Sequence, residues 1–480
     1  MKPETHKHQH ALNRFGVVPT SLRLNAHPMF TGRGVTIAFL DSGFYPHSDL
    51  IEPGNRILAY EDLTREYSDL FNIDTPQSWQ WHGTQTSVTA AGNGHLSSGV
   101  YRGLASDAEL VLVKVSRSGQ ITEDNIAQGI RWVVENKQRY NIRILNISLG
   151  GDEDVPCSKS IIDQAAEEAV REGLVVVVAA GNSGHEGKHS IPPANSPSVI
   201  TVGGYSDNNK LESTEIKLYQ SNYGFTADGT LKPEVIAPAM WVAAPILPGT
   251  ADYRRAEALS RLAGAPDYEL ASLARECGPI AEIPKSLMEA EPQTIRNFVE
   301  SVLQQRKIVA THYQHVDGTS FAAPIVSSIV AQMLEANPDL SPTTVKDILI
   351  ATAERIEGHT TLRQGYGVVN ARLAVDAAIT EKHSLNNRSV RIERDNLSFT
   401  YHNDSADTVS LAGDFNNWDP AKTSLRKQES GLWSVEIPRP EPGRYHYKFV
   451  VNGRLWFEDP LNGQKAEDNF GGLNSAIVVE

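Results

Sequence analysis

A chain of 480 residues, 40% of them hydrophobic, is long enough for two or three domains and apolar enough to fill ordinary cores. Its formal net charge of −14 excludes the basic footprint that nucleic acid or an anionic membrane surface requires. No run approaches the roughly 18 apolar residues of a membrane span, and the start, Met1 to His10, lacks the apolar core of a secretion signal, so an intracellular, cytoplasmic protein is expected. Cys157 and Cys277 lie far apart and read as free thiols rather than one bridge. His6, His8 and His10 read as a solvated tail rather than a metal site.

The first strong element is the β-branched, apolar run Val35 to Leu40, a buried strand that delivers Asp41 to its C-terminal edge. Ligand sites of open parallel sheets gather at that edge. His82 stands in Trp81-His82-Gly83-Thr84, and the small, polar residues after it suit a closely packed helix starting there. A helix start disfavours imidazolium, so the charged ring needs a carboxylate, for which Asp41 is the candidate. Leu110–Val115 predicts a strand, the spacing of Ile126, Ile130, Val133 and Val134 a helix, and Ile142–Leu149 another strand. A helix over about Ser160–Glu172 then feeds the strand Leu174–Ala180, and Val199 to Val202 follows. Repeated βαβ units predict an α/β fold whose parallel sheet is covered on both faces.

Asn182, in the turn Gly181-Asn182-Ser183-Gly184, offers an amide donor that keeps its charge during a reaction, typically worth about 2.7–4 kcal/mol to an oxyanion. Pro238 and Ser320 are 82 positions apart, and about Leu247–Ala310 between them reads as helical. There Ile295, Phe298, Val299, Val302 and Leu303 form one apolar stripe, expected to pack beside the cleft as a gate or to serve as decoration or an oligomer contact. Ser320 follows Gly318-Thr319 and opens an apolar helix, so its own N–H can face an oxyanion beside its oxygen. A serine needs a base within reach, itself oriented by a carboxylate. His82 and Asp41 supply that pair.

With the order Asp, His, Asn, Ser in these contexts, the chain resembles the subtilisin-like serine peptidases, the subtilases, over roughly residues 30–378. Pro46 to Leu50, Asn146 to Gly151, Lys232 to Pro238 and Gly365 to Ala371 resemble further strings of that family. The resemblance implies that Ser320 attacks a peptide carbonyl, His82 relays the proton and Asp41 orients it. Asn182 and the Ser320 N–H then hold the oxyanion. It also implies that Ser148, Leu149, Gly150 and Gly151 pair with substrate backbone beside Ala180 and Gly181, and that Ile191 lies near the floor of the pocket for the residue before the scissile bond, favouring small or medium apolar side chains there. Peptides and unfolded proteins are the expected substrates, and a catalytically silent scaffold is the alternative. The 40 residues before Asp41 leave no room for a folded pro-domain, so self-inhibition would fall to the segment around Arg14–Pro19. No cofactor is required. Calcium wants six or more oxygens, and Asp49 with the short loop Gly94–Gly99 does not support such a site.

Ser341-Pro342 opens a helix to about Ile356, and Ala371–Ile379 ends a peptidase-like domain set at 31–380, after an extension over 1–30. A linker is expected over 381–391. From 392 to 480 the period changes to two, with strands at Ser398–Tyr401, Val409–Ala412, Trp433–Ile437 and Tyr445–Val451, which predicts an immunoglobulin-like β-sandwich. Gly413 to Trp418, Pro442 to Phe449 and Asn452 to Pro460 resemble the glycogen-binding early-set modules of AMP-activated protein kinase and the branching enzymes. That resemblance implies Trp418 and Trp456 stacking on glucose rings, Lys448 and Asn474 bonding hydroxyls and Phe470 making an aliphatic-type contact with α-glucan. Gly472 and Arg454-Leu455 depart from the pattern, leaving a structural or protein-docking module open. The sequence does not set the oligomeric state.

Overall fold

The computed structural model describes the chain outside residues 1–15, 65–75, 118, 152–154, 185–188, 212–215, 387–388, 394, 404–405, 429–430, 461, 463–464, 469–471 and 480. Phe470, the histidines of the N-terminal tail, Arg14 and Phe15 lie outside the described residues. Two compact units divide the chain, Met1–Ile379 and Thr380–Glu480.

The first unit is built on strands β1 (Thr36–Asp41), β2 (Ile57–Asp62), β3 (Glu109–Lys114), β4 (Ile142–Ile147), β5 (Val175–Ala179), β6 (Ile200–Ser206) and β7 (Val235–Pro238). They lie parallel in the order β7-β6-β5-β4-β1-β3-β2, with Lys217–Leu218 added antiparallel to β6. Alternate residues of β1 enter opposite cores. Ile37 and Phe39 join the helices Trp81–Ala91 and Thr319–Ala336 on one face, and Ala38 and Leu40 meet Glu123–Asn136 and Ile161–Arg171 on the other. Burial on both sides explains why the strands read as unbroken apolar runs. The strand order reverses around β1, so a crevice opens at its carboxyl end. That is where Asp41 sits.

Residues 16–30 do not form a separate extension. Val17 packs with Tyr101 and Tyr313, and the buried Arg23 guanidinium bonds Asp207 at 2.7 and 2.9 Å and the carbonyls of Met240 and Trp241 at 2.9 and 2.8 Å. Gly16 to Pro19, named above for self-inhibition, are tied down by Asn209, which accepts from Val18 N–H and donates to Gly16 O.

The extra segment folds as helices Ala251–Gly264, Asp267–Ala281 and Pro292–Gln305 on a sheet of Val242–Pro245, Tyr313–Val316 and Ile308–Ala310. The expected packing of its stripe against the peptidase-like domain is not what forms. Ile295 and Val299 bury in a core of the segment's own with Leu259, Leu262, Leu270 and Ala274, and Phe298, Val302 and Leu303 pack against it. Three amphipathic helices can bury one another's stripes, so the stripe needs no outside surface.

The helix after Ser341 ends at Ala351, short of Ile356, because Glu354 instead bridges Val368. The expected linker is mostly helix, since Ala371–Asn386 runs through it and the next strand, Val390–Ile392, begins before 392. No glycine or proline stands between Thr380 and Asn386 to stop it. The second unit is a β-sandwich. One sheet orders Val390–Ile392, Asn396–His402, Leu432–Pro438 and Arg426–Lys427, and the other Val409–Gly413, Gly443–Val451, Leu473–Val479 and Lys465–Glu467, with Leu455–Phe457 on the edge of Gly443–Val451. Phe399, Trp433, Tyr447 and Phe449 fill the space between them.

A core private to the inserted helices predicts local failure. Ile295→Ala removes a fully buried side chain at a typical cost of about 2–5 kcal/mol. Amide exchange should rise across residues 251–305 and stay slow in β5, whereas equal loss of protection in both would mean one shared core.

Candidate functional site

Asp41 is 1% exposed, and its carboxylate accepts from Ser42 N–H at 2.7 Å, Thr86 Oγ1 at 3.2 Å and His82 Nδ1 at 2.8 and 3.0 Å. The His82 helix approaches β1 closely because residue 83 is glycine. A Cβ there would lie 2.3 Å from Gly43 O and 3.0 Å from Asp41 Cβ. Burial pulls the His82 pKa down, but the charge of Asp41 and its hydrogen bond outweigh this and leave it raised above the ordinary histidine value.

Ser320 lies in the first turn of Thr319–Ala336. Its N–H has no acceptor among the described residues, as expected of a helix start. Gly318 before it has φ +142, a conformation that a side chain would strain. Ser320 Oγ lies 3.4 Å from Ser148 O, and the rings of His82 and Phe321 are 5.9 Å apart. No hydrogen bond joins Ser320 to His82 in this state, a bond that often tightens only when substrate binds.

The amide of Asn182 is oriented by Thr319, whose N–H and hydroxyl both donate to Asn182 Oδ1, at 2.9 and 3.0 Å. That leaves Nδ2 as the outward donor. Thr319 Oγ1 also accepts from Gly181 N–H at 3.1 Å, and Asn222 ties the same turn down by accepting from Ser183 N–H at 2.7 Å and donating to His189 O at 2.9 Å. Sequence reasoning missed Asn222 and gave Thr319 no role, because nothing local marks residue 222 as a neighbour of residue 182.

Ser148 to Gly151 leave the end of β4 toward Ser320. Ser148 Oγ donates to Ser320 O at 2.9 Å, itself braced by Asn146, which Ser327 holds. The N–H and carbonyl groups of Leu149 and Gly150 have no hydrogen bond among the described residues, so they form an unpaired edge. Gly151 N–H donates to Pro192 O, and Ile191 packs beside Gly150. Ala180 is fixed to β6 by a bond to Val202 O. The structure therefore gathers Asp41, His82, Asn182, Ser320 and the residues of the expected substrate edge in one crevice.

The chain that follows the inserted helices is tied into the segment leading to Ser320. Asp317 accepts from Trp241 N–H at 3.1 Å and from Lys307 Nζ, while Gly318 N–H donates to Ala239 O. His315, stacked on Trp241 at 4.3 Å, is pushed by burial to about 4 and stays neutral. Asp49, discussed above for calcium, instead accepts from Tyr313 hydroxyl at 2.6 Å and from Leu96 N–H at 3.0 Å.

In the β-sandwich, strand register puts Lys448, Trp456 and Asn474 on one face, since Val450 pairs with Trp456 and Tyr447 with Ser475. Trp456 is exposed at 44%. Trp418 is held nearby by Asp414, which accepts from its Nε1 at 2.9 Å and from His446 N–H at 2.7 Å. Lys448, expected to bond sugar hydroxyls, pairs through its ammonium with Asp468 at 2.7 Å. Gly472 N–H bonds that same carboxylate at 2.8 Å, which gives the departure at residue 472 a local role.

The Asp41–His82 pair sets a titration. With a raised folded pKa, the charged ring contributes stability that is present below the ordinary histidine value and lost as pH rises through the raised one. In Asp41→Asn only burial remains, so the His82 signal in a pH-dependent NMR titration should move below the ordinary histidine value. An unchanged midpoint would show that Asp41 does not hold the charged ring.

The subtilase family profile matches residues 32–367, and the profile of carbohydrate-binding module 48 (isoamylase N-terminal domain) matches residues 387–463. The chain is similar to serine protease AprX of Bacillus subtilis (strain 168), with 32% identity over 353 residues, 72% of this chain and 67% of that one. It is 28% identical to M-protease of Shouchella clausii over 346 residues, 72% of this chain and 65% of that one. It thus spans about two thirds of the length of these two relatives. Among solved structures it resembles a protease of Pseudoalteromonas arctica in fold, with TM-score 0.50 and 23% identity over 75% of this chain and 94% of that one. The chain belongs to the subtilase family and is a subtilisin-like serine peptidase that carries a carbohydrate-binding module of the isoamylase N-terminal type.

Proposed function

We propose that the chain is an endopeptidase that hydrolyses flexible peptide segments with Ser320 as nucleophile. What supports this reading is that both chain neighbours of Ser320 touch an oriented group: Phe321 packs on His82, whose Nδ1 is held by Asp41, and Thr319 bonds the Asn182 amide. With its Nδ1 bound to Asp41, His82 would use its other ring nitrogen as the general base for Ser320. As Ser320 Oγ attacks the carbonyl carbon, its proton passes to His82, which returns it to the leaving amine. Water repeats the sequence on the acyl-enzyme. The carbonyl oxygen becomes negative only in the tetrahedral intermediate, where Asn182 Nδ2 and the Ser320 N–H would receive it. Thr319 has already oriented the amide. The unpaired backbone groups of Leu149 and Gly150 would align the extended substrate as an added strand, with Ile191 bounding the adjacent pocket.

An intracellular site of action fits the two free thiols, Cys157 and Cys277, which a reducing compartment maintains. Docking on α-glucan through the face of Trp456, Lys448, Asn474 and Trp418 is the module's proposed role, supported by its family match and the shared face. A structural or protein-docking module is the second reading, because Gly472 and Arg454-Leu455 depart from the glycan-binding pattern.

A fluorophosphonate probe should label the wild-type chain and not Ser320→Ala, which loses hydrolysis while keeping its fold. Equal labelling of both would overturn the assignment. Asn182→Ala should keep labelling but lose roughly 10²–10³ in kcat. In an α-glucan affinity gel the full chain should be retarded and Trp456→Ala should run freely, with hydrolysis of a soluble peptide unaffected by that change. Absence of retardation would favour a protein-docking or purely structural role for the module.

A further inference from the structure

We propose that Thr86 is a positioning residue for the reaction, its buried hydroxyl competing with the His82 ring for one oxygen of Asp41 and so setting how firmly that carboxylate holds the charged ring. The assignment rests on the reading of His82 as the general base for Ser320. Thr86 follows His82 by one turn of the same helix and is fully buried, so both side chains meet the end of β1.

The Thr86 hydroxyl has two acceptors in reach, Asp41 Oδ2 at 3.2 Å and Gly83 O at 3.0 Å, and one proton to give. Gly83 O is already served. It accepts the helical bond from Ser87 N–H and a second bond from Ser87 Oγ at 2.8 Å, which occupies both of its lone pairs. The Thr86 proton therefore goes to the carboxylate. It falls on Oδ2, which also faces His82 Nδ1 at 3.0 Å, whereas Oδ1 takes Nδ1 at 2.8 Å and Ser42 N–H at 2.7 Å. A donated proton draws negative charge from the carboxylate, so this donor weakens its hold on imidazolium.

Among the described residues no second charge takes over that task. Lys114, the strand neighbour of Asp41, turns its Nζ to Asp62, Thr64 Oγ1 and Ser116 O. The rings that pack against His82 belong to Trp81 and Phe321, both uncharged. Asp41 is the charged group that acts on His82.

The test measures kcat/KM of the full chain on one soluble peptide against pH, and follows the His82 NMR signal over the same range. Thr86→Val removes the donor at nearly unchanged shape and should move both midpoints up by roughly half a unit to one unit. Below both midpoints this reads as about a threefold to tenfold loss of kcat/KM. Thr86→Ser restores the hydroxyl and should return both midpoints to the wild-type values. A midpoint that stays or falls in Thr86→Val, or rises equally in Thr86→Ser, would overturn the proposal. If the valine variant does not fold, Thr86→Ala against Thr86→Ser makes the same comparison. Absence of probe labelling at Ser320 in the wild type would overturn the peptidase reading, and the NMR midpoints would still decide on Thr86.

Discussion

Burying a carboxylate at the end of the central strand is tolerable only when donors converge on it. Ser42, Thr86 and His82 do so at Asp41. Two of these three come from the Trp81–Ala91 helix, so that helix must lie tight on β1, and Gly83 permits the approach. Once the helix is seated, the imidazole is held against Asp41 through its Nδ1. The electrostatics of the site thus follow from a packing requirement.

The opposite wall is ordered by a different economy of hydrogen bonds. Thr319 uses its N–H and its hydroxyl on a single oxygen of Asn182, and the hydroxyl also receives Gly181 N–H. One residue beside the nucleophile therefore orients the amide and fixes its turn. Asn222 braces that turn from behind. Orientation set before substrate arrives is what makes a neutral donor effective, because nothing need reorganise as charge develops.

Two additions to this arrangement are anchored close to the nucleophile without forming it. Arg23 holds the carbonyls of Met240 and Trp241, and Lys307, from the end of the inserted helices, holds Asp317. Trp241 N–H joins the two by bonding Asp317. The inserted segment, with its own core, behaves as a brace on the chain leading into Ser320 rather than as a cover packed by its stripe.

The parallel sheet, the strand ends that carry Asp41 and Asn182 and the helix starts that carry His82 and Ser320 were legible in the sequence. They depend on local patterns: unbroken apolar runs, Gly-flanked turns and small residues at a helix start. The sandwich was legible for the same reason, through a period of two. Partnership over distance was not. Asn222 beside Gly181, Lys448 paired with Asp468 and a stripe buried within its own segment are juxtapositions of residues whose local sequences carry no mark of one another. The same stripe would read identically facing a cleft, a second copy or two neighbouring helices. Only the tertiary structure decides among them, because an apolar face specifies that it must be buried and leaves open against what.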